Sequence, residues 1–457
     1  MKNMAGETRI LSDFVANLKY EQLPPEVIKE AKRRIADTIA CGVYSSGEIT
    51  GKKISDYICS IGGSGNATVW KSGKKISTAF AVMANSAIIF HMELDDVHRF
   101  SHAHCALSVI PPALSVGEVE GSNGKQLIEA VVGGYEVINR VGRCISPSIF
   151  LDRRCMPCTV MGNLGTSAAC GKLLGFDGDL LARTFGSTCF ITPMAPVESY
   201  RLGTTIKEFS MGWAGYSGVM AVELAKNGFS GSPFMIESEF GFCVNACNDY
   251  DLSKITDTLG KEYEIMYAGI KPYAHCRQAH STIDCALELR NKFGLDKLVN
   301  DIKHIQVRTF SVATRGASKE FASISAAKYS IPFAVAVSIV YGDAWIDQYV
   351  SENLTDPTIV ALAQKVDTCC DPELEALYDE KWPAIVEIEM NDGQVFSARR
   401  DLMKGEPEHP LSDDELYKKF SSLTARGLQK EKAQKLWDLI FNIEKLDNVA
   451  DISAELI

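Results

Sequence analysis

The 457-residue sequence lacks a long hydrophobic run. Its longest nearly apolar stretch, Ile331 to Val340, has ten residues, which is about half the length that a helix needs to cross a bilayer. Near the N-terminus, Glu7, Arg9 and Asp13 interrupt the apolar segment that a secretory signal would require. We therefore expect no membrane span and no export, and we predict a cytoplasmic protein.

The sequence also has fewer positively than negatively charged residues. The chain has 47 Lys and Arg residues against 58 Asp and Glu residues, which gives a net charge of −11 at pH 7. Proteins that bind nucleic acid or anionic lipid present a basic face, so this balance argues against both partners. The hydrophobic content of 46% is typical of a soluble globular protein. At about 150 residues per domain, the length predicts two or three cores.

Signatures of nucleotide and metal cofactors are missing as well. The glycine-rich stretch 62–65 does not follow a strand in a dinucleotide-binding frame, and the sequence has no P-loop. The fourteen cysteines are scattered through apolar, helical segments, which predicts reduced and buried thiols. The pairs Cys155/Cys158 and Cys243/Cys247 lie too far apart in the chain to favour a four-cysteine zinc site. No cofactor is expected.

Apolar residues recur at a helical period through most of the first 262 residues. Pro24 and Pro25 open the first long helix, which runs towards Tyr44. The same period predicts further helices at 77–91, 105–118, 124–142, 161–174 and 207–226. Only Ala67 to Trp70 resembles a strand. This part of the chain is therefore predicted to be all helical.

The pattern changes after residue 262. Strands are predicted at 263–267 and 302–310, and a hairpin at 384–399 with Asn391-Asp392-Gly393 as its turn. Helices are predicted between them at 276–293 and 323–340.

The helical period returns at Ser412, which can cap a helix, and continues in a second amphipathic helix at 427–443. The predicted fold is therefore mainly α. A large all-helical domain is built from residues 1–262 and 405–457, and a smaller α+β lid domain comprises residues 263–404.

Half of the eight histidines lie in HMELDDVHRFSHAH, residues 91–104, together with Glu93, Asp95 and Asp96. Imidazole titrates near neutrality and carboxylates near pH 4, so such neighbours can divide the roles of proton acceptor, proton donor and orienting partner. A metal-free acid–base or substrate-anchoring site is one interpretation. A solvated polar turn between helices is another.

A metal site is the third interpretation of this histidine cluster. His98 and His102 have the i, i+4 spacing that aligns two imidazoles on a helix face, and Asp95 or Asp96 could complete the ligand set. Arg99 inside that set and the absence of an HExxH pattern argue against it.

A second cluster, GIKPYAHCRQAHSTID at residues 269–284, precedes an amphipathic helix. Cations at a helix N-terminus oppose the helix dipole, so Lys271 and Arg277 are placed for an anion that the helix end also attracts. The alternative is that they are surface charges and that His280 is a core histidine. Lys207, at the start of an apolar helix, is a weaker third candidate.

Three motifs resemble the MmgE/PrpD family, which includes 2-methylcitrate dehydratases, cis-aconitate decarboxylases and iminodisuccinate epimerases. They are HMELDDVHRFSHAH, KPYAHCRQAHSTID and KYSIPFAVAV, in the family's order. The resemblance runs over nearly the whole chain. It implies a large helical domain, a smaller α+β lid, a homodimer, and a cofactor-free site between the two domains.

The resemblance also assigns positions one by one. Asp95 and Asp96 match the family's Asp pair, and Glu93 stands where many members have Asp. His104 matches the histidine that ends the loop, and Lys207 matches the family lysine. In the lid motif, Lys271 and His280 match its lysine and its later histidine.

Three positions depart from the family pattern. Met156-Pro157 stands where many members have His-Pro, and Cys276 replaces a histidine of the decarboxylases. Ser210-Met211 stands where many dehydratases have His-Pro. These departures leave the individual activity open.

The resemblance implies removal of a proton α to a carboxylate, which needs a base and cations that stabilise the developing negative charge. We expect His104, oriented by Asp95 or Asp96, to exchange the proton with His280 or Lys207 opposite, while Lys271, Arg277 and Lys207 hold carboxylates. The predicted catalytic residues are Asp95, Asp96, His104, Lys207 and His280. The predicted substrate-binding residues are Glu93, Arg99, Lys271, Tyr273, Cys276 and Arg277.

The predicted function is a hydro-lyase acting on a small di- or tricarboxylate. An epimerase or isomerase, or a decarboxylase, on a related acid is the alternative. A metal-dependent hydrolase and a catalytically inactive scaffold are hypotheses from other classes.

Overall fold

The computed structural model describes residues 6–457, with Arg201 described at its backbone only. Its first part is helical apart from three short strands. The elements up to residue 262 are α1 (Glu7–Asn17), α2 (Pro25–Gly47), α3 (Ile49–Ile61), β1 (Ala67–Val69), β2 (Lys74–Ile76), α4 (Thr78–Phe90), β3 (Val97–His98), α5 (Cys105–Glu120), α6 (Gly124–Ile145), α7 (Ser148–Leu151), α8 (Pro157–Leu173), α9 (Gly178–Phe190), α10 (Glu198–Arg201), α11 (Phe209–Lys226), α12 (Phe242–Ala246) and α13 (Ser253–Thr256). The predicted helices of this part are confirmed within a few residues at their ends.

Local signals explain where the longer helices begin and end. Pro25 starts α2 at a position where its missing N–H costs nothing. Asn123 and Gln126 form a reciprocal capping box at the start of α6. Gly121 ends α5 in the left-handed conformation, with φ of 70°. Helix α8 lies at the centre of this part and packs against α5, α6 and α11.

The second part carries a four-stranded sheet with helices. Its elements are β4 (Ala268–Gly269), α14 (His280–Phe293), β5 (Ile302–Thr309), α15 (Ile324–Ala327), α16 (Ile331–Tyr341), α17 (Pro357–Gln364), β6 (Val366–Cys370), α18 (Pro372–Glu375), β7 (Ala384–Met390) and β8 (Val395–Arg400). The strand order is β6-β5-β7-β8, with β6 parallel to β5 and the other pairs antiparallel. The mainly α fold and the 384–399 hairpin are confirmed.

The strand predicted at 263–267 is wrong. Residues 264–267 form a 3-10 turn, and only Ala268–Gly269 is extended. The backbone N–H of Glu264 donates to the Glu136 carboxylate at 2.6 Å, and the Glu264 carboxylate accepts from Arg143 at 2.5 Å. Side-chain contacts with α6 therefore fix the position of this segment, and it does not depend on hydrogen bonds to a neighbouring strand.

The C-terminal segment returns to helix and packs on the beginning of the chain. It contains α19 (Asp413–Thr424), α20 (Lys430–Phe441) and α21 (Ala450–Ala454). Ser412 forms the predicted cap of α19, as part of a capping box with Glu415. Lys29 on α2 pairs with Asp413 at 2.7 Å.

Lys419 on α19 joins three parts of the molecule. Its Nζ pairs with Asp37 on α2 at 2.6 Å and donates to the carbonyls of Leu94 and Lys271 at 2.8 and 2.9 Å. The C-terminal segment thus braces both segments that the sequence singled out for chemistry.

The first part and the sheet-bearing part are joined by their cores and by backbone pairing. One cluster of buried apolar side chains extends from Leu11 to Leu456 and includes residues of β5 and β7. Strand β3 pairs antiparallel with β4. Within residues 6–457, no helix has the length and apolar character needed to span a bilayer. The domain boundaries at 262/263 and 404/405 stay a prediction.

Candidate active site

A cavity of about 430 Å³ lies between the helical part and the lid, residues 263–404. The helical part contributes Glu93, His102 and His104 to its wall, and the lid contributes Cys276, Arg277 and Tyr329. The two clusters recognised in the sequence therefore face one common cavity. The antiparallel pairing of β3 with β4 brings them together.

Glu93 is the centre of the inner polar wall. Its Oε1 accepts hydrogen bonds from Lys207 at 3.0 Å and from Tyr329 at 2.8 Å, and its Oε2 accepts one from Lys271 at 3.1 Å. Burial alone would raise the pKa of Glu93, but the charges of Lys207 and Lys271 outweigh burial and hold it well below its usual range. Glu93 is therefore a firmly ionised carboxylate.

Lys207 and Lys271 lie behind Glu93, and neither lines the cavity. Both are buried, which lowers the pKa of each ammonium group, but the neighbouring carboxylates more than reverse this effect and raise both pKa values. For Lys207 these carboxylates are Glu208 and Glu93, and for Lys271 they are Asp95 and Glu93. Two buried cations thus share one bridging carboxylate.

His104 and Asp95 form an oriented pair. His104 is the residue before α5, and its Nδ1 lies 2.5 Å from Asp95 Oδ2. A proton on Nδ1 that bonds to the carboxylate leaves Nε2 as the basic nitrogen. Nε2 makes no hydrogen bond to any residue in the described range 6–457, and the His104 side chain lines the cavity. This arrangement suits a general base.

Asp96 has a different place from Asp95. Its Oδ1 accepts from the backbone N–H of Ala106 at 2.9 Å, and its Oδ2 accepts from Tyr135 Oη at 2.6 Å. Burial raises the pKa of Asp96, against the opposing effects of Arg34 and Tyr135. Asp96 does not line the cavity. It fixes the start of α5, next to His104.

Arg99 and Arg277 are both held by Glu406. Arg99 Nη1 lies 2.9 Å from this carboxylate and also has Glu408 as a partner, while Arg277 bonds Glu406 through Nε at 3.1 Å and Nη2 at 2.6 Å. Arg277 lines the cavity and Arg99 does not. The predicted substrate-holding arginines therefore already have carboxylate partners within the protein.

Tyr273 and His280 also lie outside the cavity wall. The Tyr273 hydroxyl donates to Asp284 at 2.6 Å. His280 is fully buried, and its Nε2 bonds the carbonyl of His275 at 3.1 Å. Burial and the charge of Arg277 hold the pKa of His280 well below its usual range, so this imidazole is neutral. These contacts support the alternative of a core histidine.

The i, i+4 alignment that a metal site would need is not formed. Residues 97–98 are extended and the residues after them form turns, so His98 and His102 do not share a helix face. His98 Nε2 faces Glu264 at 3.1 Å, whereas His102 Nε2 faces Tyr378 at 3.3 Å. In the described range 6–457, no three His, Cys, Asp or Glu side chains are grouped so that they could hold a metal ion.

Several wall residues escaped the sequence predictions. Tyr329 lies in the KYSIPFAVAV motif, which could have indicated it. Arg154 lies in the loop after α7 and Arg315 in a 3-10 turn at Ala313–Gly316, and the sequence motifs indicated neither of them. Met156 lines the cavity at a position where the sequence departs from the family pattern, and so does Cys276, which the sequence did predict as a substrate-binding residue. Burial raises the pKa of the Cys276 thiol to about 11, so it is neutral near pH 7.

Comparison with known proteins gives matches over most of the chain. The family model of the MmgE/PrpD N-terminal domain matches residues 9–254, and that of the MmgE/PrpD C-terminal domain matches residues 273–445. The cis-aconitate decarboxylase of Aspergillus terreus is 25% identical over 98% of this chain and 95% of its own length. Those of Mus musculus and Homo sapiens are 23% and 22% identical over 98% of this chain and over 92% and 94% of their own lengths. Because the matched ranges cover most of the sequence, the chain belongs to the MmgE/PrpD family.

Proposed function

We propose that this protein is a cofactor-independent lyase that removes a proton from the carbon next to a carboxylate of a small polycarboxylate. The observation that carries the proposal is the Asp95–His104 pair, whose imidazole has an unpartnered nitrogen and belongs to the wall of the cavity. Dehydration is the first candidate reaction. Decarboxylation is the second, and it is supported by relatives that are named cis-aconitate decarboxylases.

His104 is the base in this proposal, and Glu93 is not. Both line the cavity. A carboxylate whose pKa is held well below its usual range binds protons weakly, and the two lysines put Glu93 in that state. His104 instead presents an unpartnered ring nitrogen to the cavity, and histidine is the side chain that most often acts as a general base. Asp95 stabilises the imidazolium that results.

Lys207 and Lys271 are two fixed positive charges beside the wall, bonded to Glu93 and also within 4.0 Å of Glu208 and Asp95. When the proton leaves carbon, negative charge moves onto the neighbouring carboxylate, and a fixed positive group nearby stabilises it. The Tyr329 hydroxyl is protonated, since burial and Glu93 raise its pKa well above the usual value. Its proton bonds Glu93, so in a dehydration the proton that His104 takes from carbon is the one that passes to the departing hydroxyl, and water leaves with His104 neutral again.

The test is an NMR screen in deuterated buffer of citrate-, aconitate-, succinate- and aspartate-like acids. The wild-type enzyme is expected to incorporate deuterium next to a carboxylate or to form a new acid. The His104→Gln variant is expected to lose about a hundredfold or more of that rate. His304→Gln is the matched control, because His304 also pairs with an aspartate but lies at the surface.

The products separate the candidate reactions. An unsaturated acid with the same carbon count indicates a hydro-lyase, and a shorter acid with carbon dioxide indicates a decarboxylase. Label without a new product indicates an epimerase. If none of these acids exchanges a proton or reacts, the proposal is wrong.

We also propose a cytoplasmic homodimer without nucleic-acid or membrane partners. The fourteen cysteines are all unpaired, which supports a reducing compartment. Exposed large apolar side chains are concentrated between residues 190 and 244 and form the proposed interface: Phe190, Met194, Leu202, Ile206, Trp213, Phe229, Phe234, Phe240 and Val244. Apolar side chains that lie together on a surface mark interaction sites, and these residues are the ones proposed to do so.

A further inference from the structure

Among the side chains that the structure describes, three arginines line the cavity: Arg154, Arg277 and Arg315. Glu406 neutralises Arg277 through two hydrogen bonds. Arg154 and Arg315 lie at the exposed mouth, and neither forms an ion pair with any carboxylate of the described residues 6–457. The wall therefore presents two guanidinium groups that have no counterion of their own.

Arg315 is held over the cavity by an aromatic stack. Its guanidinium carbon lies 4.4 Å from the centre of the Phe150 ring, which is the distance of a cation–π contact. Phe150 in turn stacks with His102 at 6.2 Å, and His102 stacks with Trp382 at 5.5 Å. The stack joins the helical part to the lid and restricts the position of the Arg315 guanidinium group.

Arg154 is fixed by its backbone. It has a φ of 57°, in the left-handed region that non-glycine residues rarely adopt. Its carbonyl accepts from the N–H of Val197 at 2.9 Å, and Met156 N–H donates to Ala195 at 2.9 Å. A strained residue persists where the surroundings over-determine it, and such residues concentrate at ligand sites.

The two arginines lie close enough to repel each other. Partial burial and the charge of Arg154 lower the pKa of Arg315. Guanidinium groups nevertheless stay charged, so an anion placed between them would relieve the repulsion. The planar donor forks of arginine fit a carboxylate bidentately.

We propose that Arg154 and Arg315 form a second anion subsite, which binds a carboxylate of the substrate remote from the reacting carbon. The inference rests on the proposed function and specifies its substrate class. The acid carries at least one carboxylate beyond the one next to the proton that His104 removes. The inner wall acts on the reacting end, and the arginines at the mouth select for the distal end.

The test is calorimetric binding of unreactive saturated acids: propionate, succinate and tricarballylate. Arg154→Gln and Arg315→Gln are each expected to weaken tricarballylate and succinate about tenfold and propionate less than twofold. Arg315→Lys, which keeps the charge without the fork, is expected to lie between wild type and Arg315→Gln. Arg153→Gln is the matched control, because this neighbouring arginine is exposed and bonds Asn245 outside the cavity.

Equal losses for all three acids, or no loss in either glutamine variant, would overturn the subsite. The same holds if inorganic phosphate binds more tightly than tricarballylate, or if wild type binds none of the acids. Thermal unfolding of each variant confirms that it is folded. If binding depends on the arginines but no acid is turned over, the proposed function is contradicted and the subsite stands. If turnover is unchanged in both arginine variants, the subsite is contradicted and the proposed function stands.

Discussion

Single residues divide the chemistry of the cavity wall. Glu93 and His104 are both candidate proton acceptors by residue type, and only their partners separate them. Two lysines hold Glu93 in its ionised form, and one aspartate orients His104. The role of each therefore follows from a contact and could not be read from its identity alone.

Asp95 is expected to matter as much as the imidazole that it orients. In Asp95→Asn the amide can donate to Nδ1 and stabilise the tautomer with its proton on Nε2, so kcat should fall about a hundredfold or more while KM changes little. Steady-state kinetics on the acid found in the NMR screen measure this. Asp367→Asn is the control, since Asp367 forms a comparable pair with His304 at the surface at 2.9 Å. Equal activity of Asp95→Asn and wild type would contradict the assigned pair.

Lys328 predicts a pH dependence of stability. Burial and the charge of Lys207 lower the pKa of this ammonium group from 10.5 to about 8. Between pH 8 and 10.5 the unfolded chain binds more protons than the folded one, so the folded state gains stability as pH rises. That gain reaches about 3 kcal/mol.

The measurement compares the free energy of unfolding of wild type and Lys328→Met across pH 8 to 10.5. The difference between them should change by that amount in favour of wild type as pH rises. Lys292→Met is the control at an exposed position, and its difference from wild type in the free energy of unfolding should not change with pH. If the difference for Lys328→Met also stays constant with pH, the pKa of the Lys328 amine is not lowered in the folded protein.

Elements that connect the lid to the C-terminal helices also support the wall. The loop after β8 carries Glu406, which is buried and bonds both Arg99 and Arg277. Arg99 comes from the loop before α5, and Arg277 from the turn before α14. One carboxylate in a loop thus ties together the two segments that face the cavity.

Replacing Glu406 by Gln leaves the buried guanidinium group of Arg277 without its charge partner and leaves Arg99 with Glu408 alone. We expect the free energy of unfolding to fall by about 3 to 5 kcal/mol, measured by chemical denaturation. Glu408→Gln is the matched control, because Glu408 pairs with Arg99 from an exposed position and should cost about 1 kcal/mol or less. Similar losses in both variants would show that burial of Glu406 contributes little.

Predictability from sequence differs between elements. The hairpin of β7 and β8 was predictable because Asn391-Asp392-Gly393 specifies its turn, and Ser412 marked the start of α19. Strand β6 was not, because VDTCC pairs at the sheet edge and presents little apolar alternation. The 3-10 turn at 264–267 depends on contacts with α6 that lie more than a hundred residues away.

The candidate site was likewise predictable only in part. The two clusters were recognisable because their polar residues are adjacent in sequence, and their common cavity is as expected. Arg99 and Arg277 both bond Glu406, which lies more than a hundred residues further along the chain. No local sequence pattern could therefore predict this pairing. The roles assigned to individual residues stay predictions.

At the scale of the whole molecule, the exposed apolar side chains between residues 190 and 244 predict the assembly. Light scattering should give twice the 50.0 kDa chain mass for wild type. Trp213→Glu, in a side chain that is 48% exposed, should shift the protein towards the monomer, because a charge in an apolar interface is costly. Val395→Glu, at an exposed position on β8, should not. A monomeric wild type would rule out the dimer.

The contacts of Lys419 have a consequence for how the protein matures. Its ammonium group bonds the carbonyls of Leu94 and Lys271, which lie 325 and 148 residues earlier in the chain. A ribosome releases residues from the first to the last, so a nascent chain that stops before α19 leaves Asp37 unpaired and the crevice unbraced. This brace is therefore expected to form only after α19 has been synthesised, and a chain truncated before α19 lacks it.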